Sequence, residues 1–118
     1  MIPMKSRFST YNDGMLWICE PINSVSDFGA VRNTTTESEL RQLGKLAYKE
    51  MSKRDQDMDF AESEGRTLSL KVKCRLKQEA TKMHLVRIED TLYSIIHKDE
   101  DRAKQEMYLY LEEVRKLT

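Results

Sequence analysis

Residues 67–76 constrain the fold more than any other part of the chain. Leu68, Leu70, Val72, Cys74 and Leu76 alternate with Ser69, Lys71, Lys73 and Arg75. Successive side chains of a strand point to opposite faces, so this spacing predicts a strand with one apolar and one cationic face. A helix would scatter the same residues around its axis. The apolar face needs a cover, and the basic row needs either water or counter-charges.

The rest of the chain divides around this strand. Residues 1–14 form an irregular arm that ends in Asn12-Asp13-Gly14, residues that tolerate positive φ and signal a turn. Met15-Leu16-Trp17-Ile18-Cys19 has the continuous apolar character of a buried strand, ended at Pro21 because proline cannot donate to a ladder. Residues 25–36 bend at Gly29 and continue as a Thr-rich exposed strand. Residues 37–52 are ambiguous: Leu40, Leu43, Ala47 and Met51 have helical spacing, whereas Leu46 and Tyr48 alternate. Gly44 costs a helix about 1 kcal/mol relative to alanine, yet the pattern by itself leans to helix. Residues 53–64 are polar and acidic, a loop with one or two helical turns, closed by Gly65.

Beyond the strand, residues 77–81 read as a connection. Residues 83–88 and 92–96 form two arms of a hairpin about Glu89-Asp90-Thr91. Asp99-Glu100-Asp101 reads as a second loop. The last segment is ambiguous again. Ala103, Met107, Tyr110, Leu111, Val114 and Leu117 make a helical stripe, but Met107, Leu109 and Leu111 also alternate with Tyr108 and Tyr110, and aromatics favour strands.

Several chemistries can be set aside on spacing. Asp55, Asp57 and Asp59 match the opening of a calcium loop. Phe60 stands where that loop needs its turn glycine, however, and Arg66 where it needs a bidentate glutamate. A solvated acidic loop is the simpler reading. His84, His97, Cys19 and Cys74 lack the close ligand pairs of a structural zinc site. A Cys–His nucleophile pair has no third residue to orient the imidazole. Asp27-Phe28-Gly29 lacks the other kinase motifs, and Asn33-Thr34-Thr35 matters for glycosylation only in a secreted chain. With four glycines and no phosphate loop or dinucleotide fingerprint, the sequence points away from an enzyme and implies no cofactor and no metal.

Charge weighs on the basic row. Lys71, Lys73 and Arg75, with Lys77 beyond them, recur about 7 Å apart along one face, a spacing that could track phosphates beside Tyr93 or Tyr108. But Lys+Arg and Asp+Glu both total 20, and a dedicated nucleic-acid binder carries a basic excess. Pairing with acidic residues of adjacent strands is the simpler expectation. The 118 residues fit one domain. The two cysteines read as buried thiols of a reducing compartment rather than a disulfide. No apolar run has signal-peptide or transmembrane character, so an intracellular chain is expected, without a membrane partner.

Four stretches in this order resemble one family: LAYKEMSKR at 46–54, GRTLSLKVK at 65–73, IEDTLYSII at 88–96 and MYLYLEEV at 107–114. Together they are similar to the phage head–tail joining proteins, the head-closure or stopper subunits of long-tailed phages and prophages. The likeness spans roughly residues 15–115, and Asp27-x-Gly29 with its Thr-rich continuation resembles the family's early hairpin. It implies an all-β, mainly antiparallel small barrel with a short helical or loop excursion, and strands at 44–51 and 107–114 in place of helices.

It also implies a ring of copies between the portal or adaptor and the tail. Such a ring closes the DNA channel and docks the tail, in the host cytoplasm during assembly and then at the head–tail junction of the virion. The chain would then be a monomer in isolation, near packaged DNA only in the virion. On this reading Asp55, Asp57, Asp59, Phe60, Glu62 and Glu64 are the candidate gate or inter-subunit loop. Lys71, Lys73 and Arg75 are the candidate polar contact face, meeting acidic residues of a neighbouring strand or subunit. Replacing those three together by Ser is expected to spare the fold and impair assembly. The alternatives are a tail-completion or terminator ring, an OB-like barrel binding single-stranded nucleic acid through the basic row, and a small helical regulator if both ambiguous segments are helices.

Overall fold

The computed structural model describes residues 10–21 and 40–117. Its elements are β1 (Gly14–Pro21), β2 (Leu40–Met51), helix α1 (Asp55–Ser63), β3 (Leu70–Arg75), β4 (Leu85–Ile88), β5 (Thr91–Asp101) and β6 (Glu106–Lys116). The strands close into a barrel in the order β1-β2-β3-β6-β5-β4, with β4 returning to β1 and every neighbouring pair antiparallel. The fold is the expected small antiparallel barrel with a helical excursion. Closure gives every strand a hydrogen-bonded neighbour on both sides for part of its length. The expected strand at 25–36 lies outside the described residues, as do residues 1–9 of the expected arm.

The barrel interior is filled by alternate residues of each wall: Leu16 and Ile18, Val72 and Cys74, Val86 and Ile88, and Met107, Leu109 and Leu111. Cys74 therefore packs among aliphatic side chains, and burial pushes its thiol up to about 12. Cys19 is buried in a separate cluster outside the barrel with Leu40, Leu85 and Leu92, so the two cysteines form no disulfide.

Both ambiguous segments are strands, which overturns the helical leaning and removes the helical-regulator reading. The reason is plainest in β6. Met107, Leu109 and Leu111 face the interior, while Glu106 and Tyr110 on the other face are also buried. A strand covered on both sides loses the polar–apolar alternation by which strands are recognised. Its apolar residues then fit a helical stripe by chance.

Two boundaries also differ. The central strand is Leu70–Arg75 rather than 67–76, and Leu68 leaves the interior to join Ala61, Ile96 and Tyr110 on the outer wall. The expected loop at Asp99–Asp101 is the end of β5; the turn follows at residues 102–105, with Gln105 at φ 55° and the Asp101 carboxylate accepting from the Lys104 N–H (3.2 Å). In β5 the register shifts between Ile95 and His97. Ile95 points into the barrel and Ile96 out to the wall by ordinary alternation, and the bulge then keeps His97 on the outer wall with Ile96.

Candidate functional site: the outer wall beneath helix α1

The register across three strands builds a grid on the outside of the barrel. Lys71, Lys73 and Arg75 of β3 stand opposite Tyr110, Tyr108 and Glu106 of β6. These in turn stand opposite His97, Asp99 and Asp101 of β5. Over this grid lies α1, held by Ala61 against Leu68, Ile96 and Tyr110.

The helix starts and stops for local reasons. Asp55 and Asp57 in its first turn complement the positive end of the helix dipole. The Asp57 carboxylate accepts the Arg54 backbone N–H (3.1 Å), supplying the carboxylate half of a capping box. At the other end the Arg66 N–H reaches Ala61 O and the Gly65 N–H reaches Glu62 O, both at 2.9 Å. Gly65 takes φ +72° in a Schellman turn. The chain beyond is clamped to β6 and β5: Arg66 pairs with Glu112 and donates to Ser94 Oγ (2.5 Å), and the Thr67 N–H donates to Glu112 Oε2 (3.0 Å). Burial works against the Glu112 carboxylate, but Arg66 and Thr67 outweigh it and hold its pKa below the usual range.

At the centre is a buried ion pair. Asp57, 5% exposed, accepts from Lys71 Nζ at 3.0 Å and from the Arg54 guanidinium at 3.2 Å. Burial alone would raise the Asp57 pKa; the Arg54 and Lys71 hydrogen bonds overcome it and lower the carboxyl to about 2. The Lys71 ammonium also lies over the rings of Tyr110 (5.1 Å) and Tyr108 (5.7 Å). Phe60, His97 and Tyr110 form a tilted aromatic ladder, with centroids 5.3 and 5.4 Å apart. Beside the pair opens a cleft of about 330 Å³ lined by Met51, Ser52, Arg54, Lys71, Asp99, Tyr108 and Tyr110.

The structure therefore joins the two groups of candidate residues, and it meets each expectation in part. The acidic segment is not a solvated loop: Asp57 is turned inward onto Lys71 of its own chain, while Asp55, Asp59, Glu62 and Glu64 face solvent. Phe60 is 42% exposed and leans on His97. The basic row is divided. Lys71 meets the helix, Lys73 lies 3.9 Å from Glu106 of the neighbouring strand, and Arg75 is exposed. Replacing all three by Ser would strand Asp57 without its buried counter-charge, so the fold would not be spared.

Sequence reasoning missed the roles of His97, Tyr110, Glu106, Arg66 and Glu112. Arg54 is not a usual cap residue, so the helix start carried no clear sequence signal, and nothing local marks which residue the Asp57 carboxylate meets across the wall. Among the described residues no group of three or more His, Cys, Asp or Glu is placed to hold a metal ion, and no helix is long and apolar enough to cross a membrane. Comparison with protein-family models and with curated proteins returns no match.

Proposed function

We propose that this chain is a structural subunit of a phage or prophage head–tail connector. Many copies ring the channel below the portal or adaptor, retain packaged DNA and dock the tail. One observation carries the reading: a closed antiparallel barrel whose helix is inserted between β2 and β3, at the excursion that the family resemblance implies. The outward carboxylates Asp55, Asp59, Glu62 and Glu64 suit a lumen or subunit contact that repels phosphate rather than binding it. The site offers no nucleophile with an activating base, so a role in assembly fits it better than catalysis. A tail-terminator ring shares these features and differs in which neighbour it binds.

The OB-like nucleic-acid reading has less to stand on. Lys71 is 6% exposed and engaged with Asp57, and Lys73 faces Glu106, so the row offers phosphates little free charge. Salt-dependent binding of single-stranded DNA at low ionic strength would revive it.

The test is direct. Purified protein is added to DNA-filled, tail-less heads of the phage or prophage whose portal gene neighbours this one. Nuclease sensitivity of the packaged DNA and tail attachment are then measured. Sealing of the heads is expected; heads that neither bind the protein nor retain DNA sink the reading.

A further inference from the structure

The cleft beside the Asp57 ion pair has positive charge at one end, negative charge at the other and aromatic rings between. The register fixes that order. Met51 of β2 stands opposite Lys71 of β3, and Lys71 opposite Tyr110 of β6. Two residues along β6, Tyr108 stands opposite Asp99 of β5. Asp99 therefore lies two strands from Lys71, on the order of 10 Å across the wall. Ser52 and Arg54, on the segment that enters α1, complete the lining.

At the cationic end two positive groups share one carboxylate. The Lys71 side chain is 7% exposed, and of its three N–H donors one goes to Asp57; it makes no other hydrogen bond among the described residues. Its further contacts are the Tyr108 and Tyr110 rings. Arg54 spends Nε and Nη2 on the same Asp57 carboxylate and has guanidinium donors left over. A buried ammonium with donors to spare, beside an opening of about 330 Å³, is short of an acceptor. At the other end Asp99 is exposed and makes no ion pair among the described residues. Arg54 and Lys71 against Asp57 and Asp99 sum to zero, so the cleft carries a dipole and no net charge. A phosphate dianion gains little from such a site, whereas a zwitterion matches both ends.

We infer that the cleft binds an ω-amino carboxylate, as presented by a lysine whose α-carboxylate is free. The carboxylate sits between Arg54 and Lys71, the ammonium on Asp99, and the methylene chain across the Tyr108 ring. That ring offers an apolar surface to the chain and a favourable quadrupole to the ammonium. The guanidinium and ammonium together supply charge-assisted hydrogen bonds to both carboxylate oxygens. Two sources carry this chemistry, the free amino acid and a protein chain that ends in lysine. The volume lies at the small end of the range for ligand sites, enough for one such residue.

The probe is ε-aminocaproate, which has the two charges and the chain and nothing else. It is titrated into the full-length protein by calorimetry at low salt, while the Tyr108 and Tyr110 ring signals are followed by NMR. Saturable binding is expected, with caproate and hexylamine each at least tenfold weaker. Asp99→Asn, a change at an exposed position, should weaken ε-aminocaproate at least fivefold and leave caproate unaltered. Arg54→Gln should weaken both, with the circular dichroism spectrum unchanged. The inference is overturned if ε-aminocaproate does not saturate the site at high millimolar concentration, if caproate binds as tightly, or if Asp99→Asn binds like the parent chain. The tripeptide Gly-Gly-Lys, its C-terminal amide and free lysine then separate the sources. Binding of the tripeptide no weaker than lysine assigns the cleft to a protein C-terminus, and weaker binding assigns it to the free amino acid. An amide that binds like the tripeptide overturns the carboxylate end of the site.

Discussion

The two faces of β3 bury their residues by different physics. Inward, Val72 and Cys74 are fully buried in the twelve-residue buried interior cluster. Outward, Lys71 is almost as inaccessible, yet what surrounds it is a carboxylate, two tyrosine rings and a nine-residue helix. The interior gains from non-directional apolar burial and tolerates a swap that conserves volume. The outer wall depends on a charge pair whose partners are costly to separate and whose net contribution, intact, is small. α1 is thus held in place by specific pairing more than by area, since Asp57 and Ala61 are its buried residues.

Substitutions can break this contrast, beginning inside. Leu109→Ala removes a fully buried interior side chain and should cost about 3 kcal/mol or more in urea denaturation. A cost below about 1 kcal/mol would mean that the barrel collapses around the cavity.

On the outer wall, Asp57→Ala leaves the Lys71 ammonium buried without its carboxylate and should cost about 3 kcal/mol. The double change Asp57→Ala with Lys71→Met should recover most of that loss, because it removes both charges. If the double variant is as unstable as the single one, the wall is held by area and the contrast fails.

Acid probes the same pair without mutation. The Asp57 pKa of about 2 in the folded chain lies below its ordinary value of 3.8. Its contribution is therefore fully present above about pH 4, by the usual linkage for a depressed carboxyl, and is lost as pH falls toward 2. The parent chain should lose stability across that window faster than the Asp57→Ala, Lys71→Met variant. Parallel losses in the two proteins would assign the acid sensitivity elsewhere.

Smaller effects sharpen the boundary of the wall. Gly65→Ala forces a side chain into φ +72° with open space around it, so only backbone strain is added. About 1 kcal/mol is expected, measured as a shift in the urea midpoint. Phe60→Ser removes an exposed ring from His97 and should change stability by less than about 1 kcal/mol; a larger loss would make the aromatic ladder a core in its own right.

How much of this was legible before folding depends on how many faces of a segment are covered. β3 was readable because its interior positions are apolar and its outer positions cationic, even though Lys71 is buried. β6 was not, because Tyr108 and Tyr110 lie against the helix side and Met107, Leu109 and Leu111 against the interior, leaving little contrast between faces. The helix was half visible: Gly65 marks its close, but its low apolar content made it look like a loop. Of the candidate site, the acidic and basic groups were both named from sequence, while their contact across 14 residues was not.

By itself the sequence determined the period-two pattern of β3, the turn glycines, Gly65 as the close of the excursion, and a balance of charge without basic excess. These are local properties, set by backbone sterics and by neighbours one to four residues apart. Residue pattern left β2 and β6 open, with strands implied only by the family resemblance; the tertiary structure decided that they are strands, that Ile96 and His97 share the outer wall, and that Lys71 is spent on Asp57 rather than on solvent or a partner. Each of those outcomes turns on which distant surface arrives to cover a residue, and closure of the barrel supplies that surface.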